Sequence, residues 1–278
     1  MKIIRKIREM QAEAEKIRIN GGKIAVVPTM GFLHEGHMSL VDIAKKHADH
    51  VIVTIFVNPT QFAPTEDLDK YPKDFKRDCE LCESRKVDAI FNPDCKEMYP
   101  GDSSVWVVEE RLSKGLCGRT RPTHFRGVTT VVAKLFNATL PHFAIFGEKD
   151  YQQAAIIRKM VRDLDFPVKI ITGPVVRESD GLAMSSRNKY LSPDEREKAL
   201  SISKALQEAR QKILRGERTA GKIIGGINLR ISQNGGRVDY VEIIDSETLE
   251  PLKKIDGKAV IAVAAFFGTT RLIDNISV

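Results

Sequence analysis

Short β-rich runs alternate with segments of helical periodicity between Lys23 and Thr172. The alternation predicts strands at Ile24–Val27, Val51–Phe56, Ala89–Phe91, Phe143–Phe146 and Val168–Thr172, and helices at Met38–Ala48, Asp74–Arg85, Val128–Leu140 and Gln153–Leu164. Such a pattern is typical of a parallel sheet covered by helices on both faces. Ligands of these sheets bind in the crevice beyond the carboxyl ends of the strands. The predicted fold class is therefore α/β, with a Rossmann-like parallel sheet in the N-terminal part.

A different pattern follows Gly173. Ser192 and Glu195 form a capping box with proline at the first helical position, and a long amphipathic helix is predicted behind it. The remaining predicted elements are a helix at Ala220–Ile231 that stops at Asn234, strands at Val238–Ile244 and Ala259–Phe267, and a short strand at Arg271–Asp274. Helices followed by clustered strands indicate a smaller α+β domain from about residue 181.

The N-terminal segment has helical periodicity, which places Ile3, Ile7, Met10, Ala14 and Ile17 on one face. Acidic residues interrupt it, no signal-peptide hydrophobic region follows, and no apolar run reaches the length of a membrane span. We therefore expect a cytoplasmic location and no membrane partner. The net charge of +7 favours an anionic partner. Because the basic residues are spread along the chain, a small phosphorylated substrate is favoured over nucleic acid.

The four cysteines raise the question of a metal site. Cys79 and Cys82 have the spacing of a zinc or redox pair, but they lie inside a predicted helix. Cys95 and Cys117 follow at unmatched gaps, whereas zinc ribbons usually show a second close pair. We favour ordinary thiols in a reducing compartment.

The segment from Pro28 to His37, PTMGFLHEGH, is the strongest functional signal in the chain. It joins an apolar run to a helical one, so it predicts a strand, a glycine turn and a helix start. A helix start offers unpaired N–H groups and a positive dipole end to an anion. The spacing of His34 and His37 differs from that of a zinc-protease motif. Two solvent-facing histidines on a glycine turn remain the plain alternative, but an imidazole pair here suits a phosphate chain, which indicates a nucleotide site.

Three further polar segments follow predicted elements. Residues 58–62, NPTQF, include the amide of Gln61, which suits a hydroxyl or carboxylate, although a plain surface loop is the preferred interpretation of this segment taken alone. Residues 147–153, GEKDYQQ, suit a phosphate clamp with a ribose or magnesium contact, or simply a helix start complemented by Asp150. Residues 184–188, MSSRN, place two hydroxyls beside a guanidinium and are weakly specific alone.

Together these segments resemble the pantothenate synthetase (pantoate–β-alanine ligase) family over nearly the whole chain. The resemblance includes PTMGFLHEGH, FVNPTQF, RPTHFRGV, FGEKDYQQ and DGLAMSSRN. The first and last are also similar to the HIGH and KMSKS elements of the wider nucleotidyltransferase superfamily, with Arg187 in place of the usual lysine. Phe32 and Thr60 depart from the familiar residues and are expected to carry no chemistry.

The resemblance implies an ATP-dependent condensation of (R)-pantoate with β-alanine through a pantoyl adenylate, with release of pyrophosphate and AMP and with Mg²⁺ on the phosphates. It implies an ATP site lined by Met30, Gly31, Phe32, Leu33, His34, Glu35, Gly36 and His37. It implies further nucleotide contacts from Gly147, Glu148, Lys149, Asp150, Val176, Met184, Ser185, Ser186 and Arg187. His37 is the expected proton donor to the leaving group, with His34 and Lys149 on the phosphates. Gln61 and Gln153 are the expected pantoate ligands, and Arg121, His124 and Arg126 are expected nearby.

The resemblance also implies a domain organisation and a homodimer. Residues 1–180 are expected to bind nucleotide and pantoate, and residues 181–278 to form an α+β lid. Two rival interpretations remain. Another nucleotidyltransferase would share the histidine turn but would not need Gln61 and Gln153, whereas a nucleic-acid-binding module would show steeply salt-dependent RNA affinity.

Overall fold

The computed structural model describes residues 1–64 and 66–278. The strands are β1 (Lys2–Ile4), β2 (Ile24–Thr29), β3 (His50–Ile55), β4 (Ala89–Phe91), β5 (Phe143–Gly147), β6 (Lys169–Gly173), β7 (Arg237–Asp245), β8 (Ala259–Phe267) and β9 (Thr270–Ser277). The α-helices are α1 (Ile7–Ile19), α2 (Glu35–Ala44), α3 (Phe75–Ser84), α4 (Cys95–Met98), α5 (Cys117–Thr120), α6 (His124–Thr139), α7 (Tyr151–Asp163), α8 (Pro193–Leu214) and α9 (Ala220–Gln233). Short 3₁₀ helices span Pro59–Gln61, Glu148–Asp150 and Ser186–Tyr190.

The chain divides into two compact units. The first comprises Met1–Ser113, Arg121–Glu148 and Gln153–Pro174. The second comprises Lys114–Thr120, Lys149–Gln152 and Val175–Val278.

The first unit is built on a six-stranded sheet of order β1-β4-β3-β2-β5-β6, in which every pairing is parallel. From β2 the chain proceeds to β3 and β4 on one side and later to β5 and β6 on the other. The strand order therefore reverses between β2 and β5, the point at which open α/β sheets bind their ligands. The sheet confirms the predicted α/β class, and each of the five predicted strands is present.

Both faces of this sheet are covered, which explains the continuous apolar runs of its strands. Ala25 and Val27 of β2 pack with Val41 of α2 and Cys82 of α3 in one buried cluster. The alternate residues of β2 point to the opposite face, where α1 and α6 pack. At the edge of the sheet, Gly173 admits α2 closely, because a Cβ there would lie 2.5 Å from Leu40 Cδ2.

The N-terminus differs from the prediction. Ile3 is not on the face of a helix but lies in β1, which pairs with β4 and leaves this side chain 48% exposed. Helix α1 begins only at Ile7, whose N–H donates to Glu97 Oε1 at 2.9 Å. The helix start is therefore set by a carboxylate 90 residues away in the chain. A local pattern of apolar residues does not contain that information.

The second unit contains the antiparallel sheet β7-β8-β9, on which α8 and α9 pack. The predicted capping box is present, because Glu195 N donates to Ser192 Oγ at 3.2 Å and Ser192 N donates to Glu195 Oε2 at 2.9 Å. Helix α9 ends at the predicted position, with Asn234 as its C-cap. Strand β9 is longer than predicted and carries Asp274 and Asn275, both buried.

We expect His142 to make the first unit sensitive to acid. Its Nδ1 accepts a hydrogen bond from Ile24 N at 3.0 Å, which requires an unprotonated nitrogen. Burial, with help from Arg18 and Lys23, lowers the pKa of His142 below its ordinary value of 6.5. The unfolded chain therefore binds this proton first as the pH falls, so the folded state should lose stability below about pH 7.

We expect the urea midpoint to fall between about pH 7 and about pH 5 more steeply in the wild type than in His142→Asn, whose amide oxygen keeps an acceptor without titrating. Equal slopes would contradict this role.

Candidate active site

The histidine turn lies at the carboxyl end of β2, beside the point where the strand order reverses. His34 is the N-cap of α2, with extended backbone at φ −142° and ψ 174°. The two imidazole rings lie with their centroids 4.0 Å apart. His34 N donates to His37 Nδ1 at 3.3 Å, so Nδ1 is the unprotonated nitrogen and the neutral ring carries its proton on Nε2. His37 thus has an N–H donor on the side of the ring away from its own backbone.

The backbone ahead of His34 adopts a left-handed turn. Gly31 has φ +84° and Phe32 has φ +51°. The hydroxyl of Thr29 accepts from Gly31 N at 3.1 Å and donates to Thr54 O at 2.6 Å, which ties the turn to β3. Such a turn is costly for Phe32, so it needs fixed partners.

Those partners come from α3. Asp78 Oδ2 accepts from Phe32 N at 2.8 Å and Oδ1 accepts from Leu33 N at 2.7 Å. Only 1% of Asp78 is exposed. Burial raises the pKa of this carboxyl, while the two N–H donors and the neighbouring Arg77 act in the opposite direction. Asp78 was not predicted as a site residue. It lies three residues after Phe75 and four before Cys82 in α3, so an acidic residue on an apolar stripe is the sequence signal that could have revealed it.

Two predicted ATP-site residues direct their side chains elsewhere in the first unit. Leu33 is fully buried in the apolar cluster, and its carbonyl accepts from Arg77 Nη1 at 3.2 Å. Glu35 is exposed and accepts from Arg85 Nη2 at 2.7 Å. The backbone of the first turn of α2, including Glu35 and Gly36, supplies N–H groups that have no acceptor one turn earlier in the helix.

The Gln61 amide is fixed by Asn58, which is 1% exposed. Asn58 Nδ2 donates to Gln61 Oε1 at 3.1 Å and to Gly127 O at 3.1 Å. Asn58 Oδ1 accepts from Tyr99 Oη at 2.9 Å. Because the carbonyl of Gly127 can only accept, it fixes which end of the Asn58 amide is nitrogen. With its oxygen bound by Asn58, Gln61 directs its NH₂ group to Met30, where Nε2 donates to Sδ at 3.2 Å. The structure therefore places Gln61 beside the turn that carries the histidines.

Side chains of the RPTHFRGV segment contact the backbone of the same loop. Arg121 Nη2 donates to Gln61 O at 3.1 Å, and His124 Nδ1 lies 2.9 Å from that oxygen. Arg126 is directed elsewhere, with its guanidinium 4.7 Å from the centroid of the Trp106 ring. Two of these three residues thus hold the backbone of Gln61.

Gly127 permits the close approach of α6 to the Gln61 loop. A Cβ at this position would lie 2.5 Å from the carbonyl carbon of Thr60 and 2.7 Å from Gln61 N.

We expect Gly127→Ala to lower the free energy of unfolding by about 1–3 kcal/mol, because the backbone of Thr60 and Gln61 must move to make room for the methyl group. Activity should also fall, because Gln61 is displaced. The matched control is Gly225→Ala in α9, where nothing lies within 4 Å of the added methyl; it should stabilise the chain by about 0.5–1 kcal/mol. Urea unfolding checks both, and a neutral Gly127→Ala would contradict the packing argument.

The carboxyl end of β5 carries the next predicted site residues of the first unit. Gly147 ends that strand, and Glu148 Oε1 accepts from Thr172 Oγ1 of β6 at 3.1 Å. Gln153 lies in the first turn of α7 and is half-buried. Its neighbour Gln152 is buried and, within the second unit, binds Cys117 N and Gly115 O.

The second unit holds the remaining predicted residues around β9. Lys149 and Asp150 lie in a 3₁₀ helix, and Lys149 O accepts from Asn275 Nδ2 at 2.9 Å. Val176 O accepts from Met184 N at 2.9 Å, which pairs the start of the serine segment with the chain after Pro174. The neighbouring Arg177 forms a two-pronged ion pair with Asp274 of β9, at 2.6 and 3.1 Å.

The serine segment is not a plain loop. Ser185 caps a 3₁₀ helix by accepting from Arg187 N at 3.2 Å, and Ser186 is buried. Asn188 Nδ2 donates to Glu178 Oε1 at 2.6 Å and to Ala183 O at 3.0 Å. The backbone under Ser185–Arg187 is therefore held by a buried amide, which sequence reasoning did not anticipate.

Neither metal ligands nor a membrane span is found in the described part of the chain. Residues 1–64 and 66–278 contain no group of three or more His, Cys, Asp or Glu side chains arranged to hold a metal ion. No helix among them combines the length and hydropathy needed to cross a bilayer. Cys82 faces the apolar cluster, and burial raises the pKa of its thiol to about 12.

Comparisons with known proteins decide the family. A sequence model of the family described as pantoate-beta-alanine ligase matches residues 2–277. The chain belongs to the pantoate–β-alanine ligase family. The resemblance drawn from its motifs is thereby confirmed.

Relatives of this ligase family align over almost their whole lengths. The chain is 56% identical to a pantothenate synthetase of Thermotoga petrophila over 276 residues, which are 99% of each chain. It is similar to a crystal structure of the Thermus thermophilus enzyme, with 42% identity, a TM-score of 0.93 and 99% of each chain covered. A Francisella tularensis pantoate–β-alanine ligase complexed with β-γ ATP and β-alanine has 35% identity and a TM-score of 0.82, with 99% of this chain and 97% of that one covered.

Proposed function

We propose that this enzyme joins (R)-pantoate to β-alanine at the expense of ATP and releases AMP and pyrophosphate. Family membership supports the overall reaction, and one geometric observation supports it independently. The N-terminus of α2 carries two imidazoles, 4.0 Å apart, at the reversal point of a parallel sheet. A helix start of this kind suits a polyphosphate.

The proposed chemistry proceeds in two steps. A carboxylate does not react with an amine at neutral pH, so a pantoate oxygen first attacks the α-phosphorus of ATP and pyrophosphate leaves. The amine of β-alanine then attacks the carbonyl of this mixed anhydride, and AMP leaves. Because the anhydride is the activated species, no enzyme nucleophile is required. The protein aligns the reactants and stabilises charge on the phosphates.

In the first step the histidine turn acts on the leaving pyrophosphate. We assign His37 as the donor to a phosphate oxygen, because its Nδ1 already accepts from His34 N and its proton is on Nε2. His34 contacts the same phosphate chain. The backbone N–H groups of Glu35 and Gly36 in the first turn of α2 add further donors.

Pantoate and β-alanine are assigned to the amides. Gln61 presents its NH₂ group because Asn58 occupies its oxygen, so it is suited to donate to a carboxylate or hydroxyl oxygen. Gln153 at the start of α7 is the second proposed pantoate ligand.

The remaining assignments concern the nucleotide. Lys149 is assigned to the phosphates, Asp150 to the ribose and Val176, through its backbone, to adenine. The other proposed nucleotide contacts are Met30, Gly31, Phe32, Glu35, Gly147, Glu148, Met184, Ser185, Ser186 and Arg187. Leu33 is not among them, because its side chain is buried and α3 binds both its N–H and its carbonyl. Mg²⁺ is proposed to bind phosphate oxygens, where it needs few protein ligands of its own.

A homodimer formed through the first 180 residues and a cytoplasmic location are proposed as well. In the first unit, Val105 is 85% and Val108 is 52% exposed, which suits a covered surface in an assembly. Sedimentation equilibrium of the wild type would test the dimer, and a monomer at assay concentration would contradict it.

One coupled assay tests the function. Purified enzyme with ATP and pantoate should release pyrophosphate, and AMP should appear in solution only after β-alanine is added. The rival nucleotidyltransferase would release pyrophosphate independently of pantoate and β-alanine. Absence of AMP with all three substrates would contradict the proposal.

A further inference from the structure

The carboxylate of Asp78 fills a backbone anion site inside the protein. Its two oxygens accept from consecutive N–H groups, those of Phe32 and Leu33, at 2.8 and 2.7 Å. Successive N–H groups in a left-handed turn converge into a concavity that binds an anion. Here the anion is supplied by α3, so these two N–H groups have no capacity left for a substrate phosphate.

The turn is held from several directions at once. A Cβ on Gly31 would lie 3.1 Å from Asp78 Oδ2 and 3.0 Å from Ile55 Cγ2, so the carboxylate packs directly under the turn. Arg77, the preceding residue of α3, donates to Leu33 O at 3.2 Å, and its guanidinium lies 5.5 Å from the centroid of the Phe32 ring. Helix α3 therefore binds both the N–H and the carbonyl of Leu33.

Leu33 immediately precedes His34, the N-cap of α2. A change in the peptide planes of Phe32 and Leu33 would rotate the N-cap, and His37 would lose the His34 N–H that fixes its protonated nitrogen. The geometry of the imidazole pair thus depends on the carboxylate below it.

We propose that Asp78 is a positioning residue, which sets the turn at Phe32 and Leu33 and thereby aims the imidazoles and first turn of α2 at the ATP phosphates. This inference rests on the proposed function. Because Asp78 binds the N–H groups of Phe32 and Leu33, the phosphate donors of this segment are the two imidazoles and the N–H groups of Glu35 and Gly36 in the first turn of α2. Asp78 itself touches no substrate.

The test compares two isosteric substitutions on one helix. Asp78→Asn keeps one acceptor but places an NH₂ group against a backbone N–H. Asp74→Asn is the control, because Asp74 is the N-cap of α3, accepting from Arg77 N at 3.1 Å, and asparagine serves equally well there. We expect Asp78→Asn to lower kcat/KM for ATP by about 100-fold through misplacement of the donors, with Asp74→Asn near the wild type. KM for β-alanine should stay within about threefold of the control, while inhibition by pyrophosphate should weaken.

A merely structural role would give a different result, namely loss of active enzyme with every KM and the pyrophosphate inhibition unchanged. Should Asp78→Asn fail to fold, Arg77→Met replaces it: the exposed arginine loses its bond to Leu33 O, and a smaller change in the same parameters is expected. Folded variants with wild-type kinetics for ATP would overturn the inference. If instead the wild type fails to form AMP from pantoate and β-alanine, the proposed function itself fails.

Discussion

Replacing His37 by alanine is expected to lower kcat by about 10²–10³-fold, because one preorganised donor to the developing pyrophosphate is lost. The fold should survive, since the ring is half-buried at a helix start rather than in the apolar core. Two isosteric variants sharpen the test. Glutamine places its amide where Nε2 lies, whereas asparagine places it where Nδ1 lies, so His37→Gln should retain more activity than His37→Asn.

The exposed His47 provides a control, and His47→Ala should have wild-type kcat. Pantoate-dependent exchange of pyrophosphate into ATP isolates the first step. Near-normal exchange in folded His37→Ala would contradict the assigned role, and greater activity in the asparagine variant would contradict the assignment of the proton to Nε2.

Replacing Lys149 by alanine is the second substitution with a large expected effect, a loss of about 10²-fold or more in kcat/KM for ATP. The physical reason is the removal of a cation from the negative charge that builds on the phosphates. Its backbone carbonyl, which accepts from Asn275, is retained in the variant, so the second unit should remain folded. Lys169→Ala, an exposed lysine at the start of β6, changes the net charge equally and should have little effect. Equal kinetic effects in the two variants would contradict a specific contact between Lys149 and the phosphates, because they would show that only the net charge of the protein matters.

The elements that could be read from the sequence are those with local signals. Strands β2 to β6 follow from apolar runs, and the start of α8 follows from Ser192 and Glu195, whose mutual hydrogen bonds span only three residues. The family resemblance likewise rests on contiguous motifs. Strand β1 escaped prediction because its pairing with β4 and the cap that Glu97 provides for Ile7 join distant parts of the chain.

The candidate site divides in the same way. The histidines and glutamines were visible as motifs, but the groups that orient them were not. Asp78 acts 45 residues away from Leu33. Asn58 lies only three residues before Gln61, but it is held in place by Gly127, 69 residues away. Neither long-range contact leaves a local pattern. The acidic side chain of Asp78 on the apolar stripe of α3 is unusual, but it does not identify the backbone that the carboxylate binds.

The most direct test is a crystal structure of this enzyme with pantoate and an ATP analogue that carries a methylene bridge between the α- and β-phosphates. We predict that β- and γ-phosphate oxygens lie within hydrogen-bonding distance of His34, His37 and the first-turn N–H groups of α2, with Asp78 still bound beneath the turn. Phosphates bound elsewhere, with both imidazoles remote from the nucleotide, would contradict the account.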